Sequence, residues 1–369
     1  MPELLNKIFL YDFHKSIGAK FAPFSGYSMP INYKEGIIKE HLHTRKHAGF
    51  FDVSHMGQCI IPFNENNIEK LEQIVPLDLK KMKLSTSSYS FILNEQGGII
   101  DDIIISKINY DNSIFLFIVY NASRKKIDEE IFNNKLKNII FLKDNSLIAI
   151  QGPAATQVLS FISESIIDLK FMEIKVLNYK NHKIILSRSG YTGEDGFEIS
   201  IRNDITKKFL EDLLKNENIM FCGLGSRDSL RLEAGLSLYG HELNENISPV
   251  EANLTWAINK KRLELNNFNG SQIILNQINN GIKKVKIGIK SKTKSILRSK
   301  MVLLNNENNE IGNITSGGFS PTLNSSIAIA YVDKNFYNNK LPIYCNIRNK
   351  NEEVDYVNLP FVPHKYKKG

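Results

Sequence analysis

Along this chain the apolar positions come in short runs whose spacing switches repeatedly between helix-like and strand-like periods. Residues 34–48 carry a helical pattern predicted to stop at Ala48-Gly49, the glycine serving as the left-handed residue that closes a helix. Strands follow at 50–54 and 58–62, then a helix over 68–75 that ends at Pro76. Residues 89–106 read as two strands turned at Asn94-Glu95-Gln96-Gly97-Gly98, 113–119 as another strand and 123–138 as a helix. The style then repeats: a strand at 147–150, a turn at Gly152-Pro153, a helix from Ala154, strands near 171–186 and 196–202, and a helix near 204–216. Toward the C-terminus, short strands at 285–289, 301–304, 311–315, 327–332, 341–346 and 354–357 are separated by Asn, Gly and Pro turns, which predicts a small all-β barrel or sandwich. Hairpins mixed with helices predict an α+β fold, not a doubly wound parallel sheet.

Composition narrows the class. With 369 residues the chain exceeds one comfortable core, and a division into 1–278 and 279–369 is expected, the first part holding two interleaved α+β subdomains. Hydrophobic residues make up 42% and charged residues 23%, as in ordinary globular proteins. No stretch approaches the roughly 20 apolar residues of a membrane helix, so no membrane partner is expected. Met1–Lys20 has neither a signal-type apolar core nor an Arg-rich transit pattern, and the expected location is cytoplasmic. Cys59, Cys222 and Cys345 lie far apart without metal-ligand spacing, which suits a reducing compartment and suggests no zinc site. The net charge of +8 favours an acidic partner or anionic ligand. Its basic residues are scattered, and the clusters at 283–286 and 290–300 are too short to mark a nucleic-acid groove.

Three constellations carry candidate chemistry. The first is Asp101-Asp102, set in the apolar run Gly97-Gly98-Ile99-Ile100-Asp101-Asp102-Ile103-Ile104-Ile105. An ionised carboxylate removed from water is costly unless something pairs with it. Alternation along a strand sends the two side chains to opposite faces, so they cannot share a proton as a dyad. At least one needs a partner elsewhere or a cavity with a ligand in it; the plainer alternative is a strand-end pair holding a turn or a structural Arg. The second is the glycine-rich Gly190-Tyr191-Thr192-Gly193-Glu194-Asp195-Gly196, followed by a strand with Phe197, Ile199 and Ile201 on one face and Glu198 and Ser200 on the other. If the first face is core, Glu198 faces a second sheet, solvent or a pocket. The third is Gly223-Leu224-Gly225-Ser226-Arg227-Asp228, where Ser226 is a plausible N-cap and Gly235 closes the helix. Arg227 then sits at the first helical position, where the helix dipole opposes a cation and a carboxylate or ligand must offset it. Glu40, His43 and His47 share a helix face with metal-ligand character, but no further ligand motif follows, and no metal is expected.

In this order and spacing the motifs resemble the tetrahydrofolate-dependent aminomethyltransferase family, the T-proteins of the glycine cleavage system. The matching segments also include Leu10-Tyr11-Asp12-Phe13-His14, Phe51-Asp52-Val53-Ser54-His55-Met56-Gly57, Gln151-Gly152-Pro153, Arg231-Leu232-Glu233-Ala234-Gly235 and Thr315-Ser316-Gly317-Gly318-Phe319-Ser320-Pro321-Thr322-Leu323. The resemblance implies three domains around a central folate cavity. It implies transfer of the methylene carbon of an aminomethyl group, carried on the lipoyl arm of H-protein, to tetrahydrofolate, with ammonia released. It also implies that Asp102 is the catalytic acid and that Glu198 recognises the pterin edge. Arg227 matches a folate-contacting arginine. Tyr191, Tyr89, Met56 and Asn121 match cavity-lining positions, and Tyr366 matches a C-terminal tyrosine contributed to the site. Ser226, in place of a commoner Ala, and the segment Tyr120-Asn121-Ala122-Ser123-Arg124 depart from the family pattern without removing a proposed ligand.

Two other readings are consistent with the same module. A stand-alone tetrahydrofolate-dependent demethylase would act on a small methylated substrate, although the chain has no long flavin domain. A folate-binding assembly or repair factor would carry a Lys-Gly-Cys-Tyr-type motif, whereas the corresponding stretch here, Gly235-Leu236-Ser237-Leu238-Tyr239-Gly240-His241-Glu242, has no cysteine.

Overall fold

The structure is a computed structural model that describes residues 4–368. Two sheets share the first part of the chain. One has six strands in the order Ile174–Tyr179, His182–Ser187, Gly196–Arg202, Asn145–Gln151, Ala48–Asp52 and Ile219–Phe221, antiparallel except for the last pair. The other is antiparallel with five strands, Thr86–Leu93, Ile99–Tyr110, Ser113–Tyr120, Gly57–Pro62 and Ile140–Phe141. The chain leaves the first sheet after Asp52, builds the second, and re-enters the first at Asn145. A small sheet of Asn6–Lys7, Tyr27–Asn32 and Lys20–Phe24 flanks them.

Each sheet buries the face that its alternation marks out. Phe197, Ile199 and Ile201 join Ile148, Ile150, Phe209 and Leu213 in one core, the last two from the amphipathic helix Asn203–Leu213. Ile103, Ile105, Leu116 and Ile118 join Leu71 and Phe132 in the other, so the helices Glu65–Glu72 and Lys125–Lys135 cover the five-stranded sheet.

Residues 284–357 close a six-stranded barrel in the order Lys284–Ser291, Ser325–Asp333, Glu310–Ser320, Val302–Leu304, Ile343–Ile347 and Lys350–Val357. The expectation of a small all-β C-terminal unit is met as a barrel and not a sandwich, because Lys284–Ser291 pairs on both sides. The α+β class holds.

Two local expectations change. The helix predicted over 34–48 runs over Ile37–Lys46, and Gly49 lies in the buried strand that follows it, not at a left-handed cap. A Cβ on Gly49 would come within 2.3 Å of Thr44 Oγ1, so the glycine serves close approach of helix and strand. The helix Leu224–Glu233 starts earlier than expected, with Gly223 at its cap and Arg227 in its fourth position. The capping acceptor comes from a distant helix: Glu40 Oε2 accepts from Gly223 N at 2.9 Å and from Ser226 Oγ at 3.0 Å. Glu40 is thereby committed to the backbone, and Tyr33 N donates to its other oxygen at 2.6 Å.

That helix joins the barrel to the rest. Leu232 packs with Ile327, Ile329 and Phe361. Arg231 is fully buried and donates to Asp228 at 2.8 Å, to Glu242 at 3.2 Å and to Ser316 Oγ at 2.8 Å. Glu233 accepts from Arg45 Nη2 at 2.7 Å, Ser320 Oγ at 2.5 Å and Thr322 Oγ1 at 2.7 Å. The motifs at 231–235 and 315–323 are therefore two halves of one joint.

Candidate functional site

The aspartate strand Ile99–Tyr110 sets one wall. Its alternation puts Asp101 on the buried face with Ile99 and Ile103, and Asp102 on the opposite face. Phe91 is the cross-strand partner of Asp102, and Tyr89, two residues along, is its diagonal neighbour. Tyr89 donates from its hydroxyl to Asp102 Oδ2 at 3.0 Å. In the register that pairs Ile104 with Val119, Asn121 falls opposite Asp102. Its Nδ2 donates to Asp102 Oδ1 at 2.8 Å and to Asp101 Oδ1 at 2.9 Å, while its backbone N donates to Asp101 Oδ2 at 2.9 Å. The two aspartates are thus bridged by one amide. Burial, then the charge of Asp101, pushes the Asp102 carboxyl up to about 7. Burial and Asp102 likewise raise the Tyr89 phenol well above its ordinary range.

The opposite wall comes from the glycine-rich loop and the arginine helix. Glu198 projects from the face of Gly196–Arg202 opposite the core residues and accepts from Ser189 Oγ at 3.2 Å. Arg227 Nη2 stands 3.9 Å from Glu198 Oε1, too long for a hydrogen bond, and Arg227 Nη1 is buried without an acceptor among the described residues. The guanidinium lies 5.0 Å from the centre of the Tyr191 ring, a cation–π distance. Burial lowers the Arg227 pKa from its ordinary value, and burial followed by the charge of Arg227 drives His55 down to about 3.

Tyr191 connects the two walls. Its hydroxyl donates to the Ser237 carbonyl at 2.5 Å, and the charge of Asp102 helps burial to raise its phenol. The loop that carries it has no freedom: Gln151 Oε1 accepts from Thr192 Oγ1 at 2.9 Å, and a Cβ on Gly190 would fall 1.8 Å from that oxygen. Arg188 pairs with Asp195, and Arg45 donates to Glu194 at 3.0 Å.

Of the residues singled out in the sequence, Asp102, Tyr89 and Asn121 form one hydrogen-bonded group, and Glu198, Arg227 and Tyr191 form the facing one. Met56 lies half-buried beside the Phe51, Val53 and Leu230 cluster, one residue from His55 and hence near Arg227. Tyr366 is not joined to either group by a hydrogen bond; its ring stacks on Phe171 at 3.9 Å, with Arg45 and Glu194 as its charged neighbours.

Three residues near the site were not picked out from the sequence. Trp256, the chain's one tryptophan, is 69% exposed and stacks on Tyr89 at 5.6 Å. Lys286 is buried in the barrel strand Lys284–Ser291 and donates to Ser237 Oγ at 2.8 Å. Asp128 lies on the apolar stripe of its helix, four residues before Phe132, a position where an acid is out of pattern and thus readable.

A family model described as "GCVT N-terminal domain" matches residues 10–262, and one described as "Glycine cleavage T-protein C-terminal barrel domain" matches 284–363. The chain is 40% identical to an aminomethyltransferase, mitochondrial, of Dictyostelium discoideum, over 99% of this chain and 94% of that one. It is 39% identical to the Saccharomyces cerevisiae aminomethyltransferase, mitochondrial, over 99% and 96%. Among solved structures, the glycine cleavage system aminomethyltransferase T of Bartonella henselae superposes with a TM-score of 0.92 at 36% identity, covering 99% of this chain and all of that one. The expected cytoplasmic location is overturned by these relatives, several of which are named mitochondrial. That expectation rested on the lack of a signal or transit pattern in Met1–Lys20, and a missing pattern does not report compartment.

Proposed function

The chain belongs to the aminomethyltransferase family, the T-proteins of glycine cleavage, and on that premise we propose a role for each wall of its site. It is an aminomethyltransferase: the methylene carbon of an aminomethyl group passes to tetrahydrofolate, giving the 5,10-methylene form, and ammonia leaves. Its partner is the lipoylated H-protein, whose dihydrolipoyl arm delivers the aminomethyl group and is left as the dithiol. The chain divides after residue 278, with the folate site in the first part and the barrel braced against the helix that carries Arg227.

What carries the reading is the unfinished pairing of Arg227 with Glu198, 3.9 Å apart, with one buried guanidinium nitrogen lacking an acceptor. A buried cation left short of partners calls for a ligand. A pterin edge offers adjacent N–H donors, which suit the two oxygens of Glu198, and the pterin carbonyl oxygen beside them suits the guanidinium fork. Tyr191, Tyr89, Met56 and Asn121 supply the aromatic, apolar and amide lining, and Tyr366 closes the C-terminal side. Asp102 is the catalytic acid. As an anion it orients the attacking folate nitrogen and stabilises the positive charge that develops as the carbon–nitrogen bond to ammonia breaks.

Calorimetric titration of tetrahydrofolate tests the binding wall. Glu198→Ala and Arg227→Ala are expected to weaken affinity roughly ten- to hundredfold, while Asp102→Asn keeps affinity and loses turnover with aminomethyl-loaded carrier. Equal and mild effects at all three positions would contradict the assignment. Turnover independent of the carrier, with a small methylated donor instead, would favour the demethylase.

A further inference from the structure

Three buried or half-buried carboxyls gather about the aspartate strand, Asp101 and Asp128 on its core side and Asp102 on the other, and the reaction as assigned uses one. Asp101 is fully buried, and both its oxygens accept from Asn121. Asp128, on the helix Lys125–Lys135, is also fully buried, and that helix packs through Phe132 against the strand face that carries Asp101. Neither oxygen of Asp128 accepts from an N–H or hydroxyl group among the described residues. Two buried carboxyls that feel each other's charge, neither joined to a cation, do not both ionise; one holds a proton.

The surroundings decide which one. Asp128 is faced by Asp101 and Asp102 from the strand and by Arg124 from its own helix. Tyr120, Cys59 and Tyr239 also feel its charge. Arg124 is the cation of this set: its Nη2 donates to Glu245 at 2.5 Å, its guanidinium lies 5.1 Å from the Tyr239 ring, and its buried Nε has no acceptor among the described residues, so it gives Asp128 no hydrogen bond. Asp101 has N–H donors on both oxygens and Asp128 has none, so the negative charge belongs on Asp101 and the proton on Asp128.

We propose that Asp128 is a positioning residue: a neutral acid at physiological pH that donates to Asp101, fixing Asp101 as the anion that turns the Asn121 amide onto Asp102. Burial supports this by raising the Asp128 carboxyl far above its usual range, to about 10, with the charge of Asp101 adding to it. The protons belong to the cluster as a whole, and removing the donor at Asp128 frees Asp101 to compete with Asp102 for Asn121.

The proposal rests on the assignment of Asp102 for its catalytic half only. The proton itself is read without turnover, from melting temperature against pH in wild type, Asp128→Asn and Asp128→Ala. A carboxyl whose folded pKa is raised lends stability that is full below its unfolded value, about 3.9, and is lost as pH climbs toward the folded one. Asp128→Asn, which keeps a donor and cannot ionise, should therefore gain on wild type steadily between about pH 5 and pH 9. The infrared carbonyl band of a protonated carboxyl should vanish in it. A constant difference, or wild type gaining on the variant as pH rises, would mean an ionised Asp128 and would overturn the proposal. For the positioning half, Asp128→Ala should lower kcat by about 100-fold with KM for folate little changed, and Asp128→Asn should restore most of it. Loss of kcat in both variants alike, or in neither, refutes the positioning role even where the proton is found. If Asp128→Ala does not fold, the Asn variant and the infrared band still decide.

Discussion

In the role proposed for it, Asp102 carries charge in a place that opposes charge. Burial and the neighbouring Asp101 raise its carboxyl to about 7, so a neutral solution holds it between its two forms. The raised value means that Asp102 costs stability as pH rises through that point, which is consistent with a group kept for chemistry and not for the fold. If the anion is the working form, log kcat/KM climbs with pH to a plateau reached above about 7, and Asp102→Asn lacks the limb and loses about 10²–10⁴ in turnover. A pH-rate profile for wild type and variant checks this; a flat wild-type profile through neutrality excludes the anion. At this scale much was legible. Strand alternation alone separated Asp101 from Asp102 and placed Glu198 opposite Phe197 and Ile199. What could not be read was the bridge: Asn121 joins both aspartates, through contacts between separate strands, and Asp128 comes to the Asp101 side from a helix some 25 positions on.

The helix Leu224–Glu233 shows what an element owes to distant chain. Its expected start at Ser226 failed because its cap is Glu40, some 180 positions earlier and reached only in the fold. Strand positions in the barrel were readable because alternation is local, whereas closure depends on Lys284–Ser291 finding two partners. The same helix carries Glu233. Burial opposes its charge, but hydrogen bonds from His41, Ser320 and Thr322 more than offset that and hold it down to about 2. A depressed carboxyl lends stability that is present above its unfolded value and lost only as pH falls through the folded one, so near neutrality the contribution is complete. Glu233→Ala takes one of two carboxylates from buried Arg45, which keeps Glu194, and the carboxylate from buried His41, a loss expected near 3–5 kcal/mol. Chemical denaturation at neutral pH measures it, and a change under about 1 kcal/mol would show the joint to be dispensable.

Across the whole molecule, the barrel meets the candidate site through a buried amine. Lys286 is buried, forms no ion pair within the described residues, and donates to Ser237, whose carbonyl holds Tyr191. Burial lowers its pKa to about 8. A depressed lysine costs stability while the folded state must hold its proton; that cost fades as pH rises from the folded value toward the unfolded one, about 10.4. Lys286→Met is therefore expected to be more stable than wild type at neutral pH, with the gap narrowing in alkaline solution. Melting curves at several pH values test it, and a widening gap would show the amine paired in solution.

The detour of the chain between Asp52 and Asn145 has a consequence for biosynthesis. The strand Ala48–Asp52 emerges from the ribosome well before Asn145–Gln151, the neighbour it must pair with, and before Ile219–Phe221 on its other side. The five-stranded sheet between them is contiguous in sequence and is free to mature first. Until the later strands are translated, the apolar Ala48–Asp52 segment waits with both edges open, a stretch of this nascent chain that a chaperone would cover.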